Sequence, residues 1–140
     1  MADTMKAARE VLIPMLGEKF AAGLEAAAAS DAFGAPLAQI AIDYAFAGVW
    51  SRPGLDRRSR SIATMAILIT TGQTHELKNH LRAGIANGVT PKEIEELIIH
   101  SSVYVGLPTA GIAMQAATKV LREMGKLPAA TQTSHERGLT

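Results

Sequence analysis

Apolar residues recur along most of the chain at the three- and four-residue spacing of amphipathic helices, and the alternation typical of strands is rare. Helix-forming residues, above all alanine, dominate nearly every window. The predicted helices cover approximately residues 3–20 with an alanine-rich continuation over 21–29, then 35–50, 56–71, 74–87, 91–104 and 109–125. The sequence therefore predicts an all-α fold, a compact bundle of about six helices.

Residues that bend, begin or end helices mark the boundaries of this pattern. Pro14 is expected to kink or split the first helix, because proline lacks an amide hydrogen and clashes with the preceding turn. Asp56 and Thr74 stand where a side-chain oxygen would cap the helix that follows. The run Thr90-Pro91-Lys92-Glu93 has the form of a capping box with proline at the first helical position.

The chain is predicted to form one domain. No internal repeat of roughly 20 to 50 residues is present, which argues against a solenoid. After Gly125 the run KLPAATQTSHERGLT has no apolar period. We predict a single helical domain over residues 1–126 and a flexible C-terminal tail over residues 127–140.

Charge and hydropathy exclude several classes of partner. Fourteen Lys and Arg against thirteen Asp and Glu give a formal net charge of +1, too balanced to attract nucleic acid or an anionic membrane. The longest apolar run, residues 62–69, falls far below the roughly 18 residues that a membrane span requires. The N-terminal region shows no apolar run of signal-peptide type. We expect a soluble, cytoplasmic protein that binds neither nucleic acid nor membrane.

The absence of cysteine removes disulfides, thiolate nucleophiles and sulfur-ligated metals. The four histidines are scattered and form no dense ligand set, so we expect no metal site. Glycine-rich phosphate-binding loops, the zinc-protease pattern HExxH and the serine-hydrolase pattern GxSxG are also absent. Nucleotide-dependent enzymes and these hydrolase classes are therefore excluded.

Two helices carry a glutamate and a histidine four residues apart. Glu76 and His80 share one helix face, where the carboxylate would raise the basicity of the imidazole and fix its tautomer. The alternative is an ordinary pair on a solvated helix. Glu96, His100 and Tyr104 form a second stripe, for which the alternative is a polar edge where the helix meets another subunit.

Arginines and the single tryptophan surround one predicted turn. The arginines there are Arg52, Arg57, Arg58 and Arg60. A ligand that bears a carboxylate would find bidentate partners among them. Arg58 and Arg60 are two residues apart and face nearly opposite ways, so at most one of the two serves a given pocket. Trp50 lies just before the turn and either walls a small pocket or seals the core.

Four sequence blocks follow one another at fixed spacing. They read W-x-R-P-G-L-D-x-R-x-R-S at 50–61, E-L-x-x-H-L-R-A at 76–83, N-G-V-T at 87–90 and V-Y-x-G-x-P at 103–108. With these blocks the segment 50–117, about half of the chain, resembles the carboxymuconolactone decarboxylase family.

The resemblance implies an all-helical subunit of the alkylhydroperoxidase-like superfamily that assembles with copies of itself, as a trimer or hexamer, with sites near the subunit contacts. The peroxidase branch carries the pattern C-x-x-C-x-x-x-H, and the matching residues here are Gln73, Glu76 and His80. Because both sulfurs are replaced, thiol-dependent peroxide reduction is excluded. A glutamate at the second position is typical of the decarboxylase branch.

The activity that the resemblance implies is cofactor-independent decarboxylation of a carboxylated butenolide such as 4-carboxymuconolactone, giving an enol lactone in aromatic-acid catabolism. In this interpretation His80 donates the proton and Glu76 orients it. The predicted substrate-binding residues are Arg52, Arg58, Arg60, Trp50 and Tyr104.

Two departures from the family pattern concern the substrate. Residues 109–112 read Thr-Ala-Gly-Ile where an Asn or His is common, and His100 replaces an expected neutral amide. The alternatives are a lactone hydrolase or another small-acid enzyme of the same fold, and a non-catalytic helical assembly protein.

Overall fold

Helices form every regular element of residues 2–129, the part of the chain that the computed structural model describes. In chain order the elements are α1 (Ala2–Leu16), α2 (Glu18–Ala29), α3 (Ala35–Ile40), a π-helical segment that continues α3 (Ala41–Trp50), α4 (Arg57–Thr70), α5 (Thr74–Ala86), α6 (Pro91–Val105) and α7 (Leu107–Glu123). The all-α prediction is confirmed, with seven α-helices in this part of the chain.

The break between α1 and α2 lies at Gly17 and not at Pro14, which lies inside α1. Gly17 has a φ of 90°, a conformation that glycine adopts at little cost. Pro14 cannot donate to the carbonyl of Glu10, and the guanidinium of Arg57 donates to that carbonyl instead, at 3.1 Å. The proline is therefore tolerated because α4 supplies the missing donor.

Helix caps fix the starts of α4 and α6 as predicted. The carboxylate of Asp56 accepts a hydrogen bond from the amide of Ser59 at 2.8 Å. Thr90 and Glu93 form the capping box. The backbone amide of Glu93 donates to the hydroxyl of Thr90, and the backbone amide of Thr90 donates to the carboxylate of Glu93, both at 3.1 Å. The prediction that Thr74 caps α5 is wrong, because the turn after α4 brings Thr74 into the helix and leaves Gln73 at the cap position without a side-chain hydrogen bond.

Buried side chains form a large core among α4, α5, α6 and α7 and a smaller one among α1, α2 and the π-helical segment. The larger core includes Met65, Ile69, Leu77, Leu81, Ile94, Ile98, Ala113 and Val120. The smaller core consists of Ala8, Leu12, Ala21 and Ile42.

A third buried cluster joins these two halves. It consists of Val11 and Met15 from α1 and Ala83 from α5, and Trp50 packs against it. The N-terminal half is thereby held against α5, the helix that carries Glu76 and His80.

The chain continues to pack beyond α7. Leu127 lies against the larger core, and the guanidinium of Arg122 donates to the carbonyl of Pro128 at 3.2 Å. Residues 130–140 of the predicted tail lie outside the described residues. Over residues 2–129, no helix has both the length and the apolar character needed to cross a membrane.

Candidate active site

His80 lies at the middle of α5, partly buried against the π-helical segment. Its imidazole stacks on the indole of Trp50, with ring centroids 6.0 Å apart and an interplanar angle of 22°. Trp50 ends the π-helical segment and is backed by Val11 and Met15 of α1. Trp50 thus connects α1 with the imidazole on α5.

The buried nitrogen of this imidazole, Nδ1, lacks a hydrogen-bond partner within residues 2–129. A buried polar atom left in this way costs about 1–3 kcal/mol, and such atoms are uncommon in folded proteins. Burial lowers the pKa of His80 below its ordinary value, and the charge of Glu76 opposes part of that shift. At neutral pH the resting imidazole is therefore mostly uncharged, and its Nδ1 is without a hydrogen-bond partner in this part of the chain.

Glu76 lies one turn before His80 and is exposed. Its Oε1 accepts a hydrogen bond from the side-chain amide of Asn79 at 3.3 Å. Among the described residues no hydrogen bond joins Glu76 to His80, so its influence on the imidazole is electrostatic in this structure. The predicted orienting role of Glu76 stays a prediction.

The three predicted substrate-binding arginines differ in their contacts. Arg58 forms an ion pair with Glu93, which ties α4 to the capping box of α6. Arg60 donates to the carbonyl of Leu55 at 3.0 Å and to the carbonyl of Arg52 at 3.1 Å, which closes the turn before α4. The guanidinium of Arg52 is exposed and has no partner within the described part of the chain. Of these three arginines, Arg52 is therefore the one whose guanidinium is not engaged by another described residue.

Tyr104 lies on α6, apart from the Trp50–His80 contact. Its ring contacts that of His100 at a centroid distance of 5.3 Å with a 47° tilt, and 76% of the residue is exposed. Its predicted pocket-lining role stays a prediction.

A cavity of about 340 Å³ lies between α6 and α7. Its lining includes Ile94, Met114 and Leu121 but neither Glu76 nor His80. In the isolated subunit the candidate residues therefore lie at a partly exposed surface outside this cavity.

Comparison with known sequences assigns the family. A model of the carboxymuconolactone decarboxylase family matches residues 35–119. The chain belongs to this family. The matched segment contains every predicted site residue of this family member. It does not include α1 and α2.

Two relatives with assigned names are decarboxylases. The chain is 48% identical over 85 residues to 4-carboxymuconolactone decarboxylase of Acinetobacter baylyi, covering 61% of this chain and 63% of that protein. It is 39% identical over 92 residues to nitrosuccinic acid decarboxylase of Metarhizium robertsii, covering 66% of this chain and 64% of that protein. The chain thus spans less than two thirds of either relative.

Two features of this family member were not foreseen from its sequence. The stacking of Trp50 on His80 joins residues far apart along the chain and leaves no local pattern. The π-helical segment leaves one signal, Gly48 within a largely apolar helix, where a Cβ would lie 3.0 Å from the carbonyl oxygen of Asp43. Glycine inside a predicted helix is a reason to look for a close approach.

Proposed function

We propose that this protein is a cofactor-independent decarboxylase of a small carboxylated butenolide, of which 4-carboxymuconolactone is the first candidate. The observation that carries the proposal is the partly buried, mostly uncharged His80 with an unpaired nitrogen, stacked on Trp50 inside the family segment. The two named relatives support it, since the name of each states a decarboxylation.

The substrate itself can accept the electrons that decarboxylation releases. When the bond between the ring carbon and the carboxylate breaks, CO2 leaves and the electron pair delocalises through the ring double bond to the lactone carbonyl. The resulting dienolate takes a proton at the carbon α to the carbonyl and becomes the enol lactone. The protein has to hold the anion, stabilise the oxyanion and supply that proton.

His80 supplies the proton in this proposal. Burial disfavours the imidazolium, and Glu76 alone does not reverse that effect. A bound carboxylate adds a second negative charge, which favours the protonated form. His80 therefore takes up a proton as the substrate binds, transfers it to the α carbon, and returns to the uncharged state.

Arg52 is the arginine that we assign to the substrate carboxylate. Arg58 and Arg60 are engaged with Glu93 and with backbone carbonyls, whereas the guanidinium of Arg52 is exposed two residues after Trp50. A charge-assisted bond from Arg52 would anchor the anion beside the imidazole.

We also propose that the active form is a homo-oligomer, a trimer or a hexamer. Large apolar side chains are exposed on α6, α7 and the π-helical segment: Tyr44, Val103, Tyr104, Leu107 and Ile112 are 70%, 79%, 76%, 76% and 55% exposed. Contact with a second copy would cover such a surface. Tyr104 belongs to it, so its predicted role in the pocket requires the assembled protein.

Product analysis tests the reaction. The purified protein is incubated with 4-carboxymuconolactone, with other carboxylated butenolides and with nitrosuccinate, whose nitro group can also accept an electron pair. CO2 and ultraviolet absorbance are followed for the wild type, His80→Gln and the control His75→Gln, which changes the exposed neighbouring histidine. We expect the wild type and His75→Gln to release CO2 and His80→Gln to have lost most of this activity.

Other outcomes of this experiment contradict the proposal in different ways. Ring opening without CO2 identifies a lactone hydrolase. No reaction with any compound, together with equal ligand binding by the wild type and His80→Gln, identifies a non-catalytic assembly protein.

A further inference from the structure

The π-helical segment sets the direction of the Trp50 side chain. It runs for ten residues, Ala41–Trp50, although π-helices are mostly single-turn insertions that are frequent at functional sites. The pattern extends to Ser51, whose amide donates to the carbonyl of Phe46, five residues earlier, at 3.2 Å. An α-helix over the same residues would have a different rotation per residue. The side chain of Trp50 would then point in another direction relative to α5.

Gly48 and Gln39 both fit this helical register. A Cβ on Gly48 would lie 3.0 Å from the carbonyl oxygen of Asp43, and that oxygen is backbone and cannot rotate away. The side-chain amide of Gln39 donates to both carboxylate oxygens of Asp43, at 3.0 and 3.1 Å, across the junction with α3. The segment thus has a residue that permits the register and a pair that secures its start.

The imidazole of His80 is oriented by packing. A catalytic histidine ordinarily has its tautomer and orientation fixed by a hydrogen bond to its second nitrogen. Here Nδ1 is buried without such a bond within residues 2–129, and the stacked indole of Trp50 is the ring contact that the imidazole makes. Trp50 in turn packs against the buried cluster of Val11, Met15 and Ala83.

We infer that Trp50 and Gly48 are positioning residues for His80: the π-helical register, in which Gly48 avoids a close contact with the carbonyl of Asp43, places the indole against the imidazole. This inference rests on the proposed function for its catalytic meaning, and on the structure alone for the placement and hydration of the ring.

The charges around His80 are consistent with this role for the indole. Glu76, on the same helix, favours the imidazolium, and no charged group of α1, α4, α7 or the π-helical segment contributes to the shift among the described residues. The low pKa of His80 therefore comes from burial, and we attribute part of that burial to the stacked indole. Removal of that cover is expected to raise the pKa towards the ordinary value.

The test follows the imidazole of His80 by NMR without substrate. Its carbon and nitrogen signals, assigned by their loss in His80→Gln, are titrated with pH in the wild type, Trp50→Phe, Trp50→Ala and Gly48→Ala. Gly23→Ala in α2 is the matched control, because a Cβ at Gly23 would meet no atom within 4 Å. Circular dichroism verifies that each variant is folded.

We expect the titration midpoint to rise in Trp50→Ala and Gly48→Ala and to stay near the wild-type value in Trp50→Phe and Gly23→Ala. In the decarboxylation assay kcat should fall about 10- to 100-fold in Gly48→Ala with KM little changed, as for a misplaced catalytic group. An unchanged midpoint in folded Gly48→Ala overturns the inference even if Trp50→Ala does not fold. A change in KM alone also overturns it, since Trp50 would then be a substrate contact.

The two proposals fail separately in these measurements. Absence of CO2 release with a shifted midpoint contradicts the decarboxylase assignment and leaves the placement of the ring supported. CO2 release with unchanged midpoints contradicts only the positioning roles.

Discussion

The pairs Glu76–His80 and Glu96–His100 have the same local sequence spacing and different surroundings. In each pair the histidine follows the glutamate by four residues on one helix face, and each imidazole contacts an aromatic ring. The ring next to His100 is Tyr104, one turn further along the same exposed stripe. The ring next to His80 is Trp50, which comes from another element and is backed by α1.

This difference shows that a four-residue spacing places a carboxylate near an imidazole. The spacing does not determine whether the imidazole is buried or exposed to water. Both residues of the second pair are exposed, and Glu96 lies 3.6 Å from Lys92 in an ordinary surface ion pair. His80 is partly buried, its pKa is lowered by that burial, and its Nδ1 is unpaired. Tertiary packing therefore separates a chemically unusual histidine from an ordinary one.

The largest contrast is expected in turnover. His80→Gln should lower kcat about 100- to 10,000-fold, the range of positioned acid–base catalysis, whereas His100→Gln should change it less than about 3-fold. Both variants are assayed for CO2 release under the same conditions. Equal losses in the two variants would contradict the distinction between the pairs.

A smaller effect is expected from the arginines. Arg52→Ala should raise KM roughly 10- to 100-fold, since it removes a charge-assisted bond to the substrate. Arg58→Ala should leave KM near the wild-type value and lower thermal stability slightly, because Arg58 pairs with Glu93 near the surface. Steady-state kinetics and thermal denaturation of the two variants separate these roles, and a larger KM effect in Arg58→Ala would reassign the anion site.

The smallest effect concerns stability against acid. Because the folded-state pKa of His80 lies below the unfolded value of about 6.5, the unfolded chain binds more protons as the pH falls through this range. The contribution of uncharged His80 to the free energy of unfolding is fully present above the unfolded-state pKa. It is lost as the pH falls through the folded-state pKa. The free energy of unfolding should therefore decrease towards acid less steeply in His80→Gln than in the wild type.

Denaturant unfolding measured at several pH values checks this prediction. A wild-type slope in His80→Gln would show that burial of His80 has no energetic consequence.

The sequence predicted the features that depend on neighbouring residues. The capping box at Thr90 and Glu93 and the cap at Asp56 follow from local side-chain chemistry, and both are present. The family was also predictable, because each of its sequence blocks is a short continuous stretch and the blocks follow one another in order within residues 35–119.

Features that depend on long-range packing were not predicted. The tolerance of Pro14 inside α1 requires a hydrogen bond from Arg57, which lies in α4. The stacking of Trp50 on His80 requires the π-helical register and the support of α1. The contacts of Arg58 and Arg60 likewise depend on the folded turn and on α6, so composition alone could not show which guanidinium stays unengaged.

The packing of Trp50 against α1 has a consequence beyond the family segment. Val11 and Met15 lie outside the segment that the family model matches, yet they belong to the cluster against which Trp50, the ring stacked on His80, is packed. Replacement of Val11 or Met15 would therefore change the surroundings of the indole while every residue of the family segment stays unchanged.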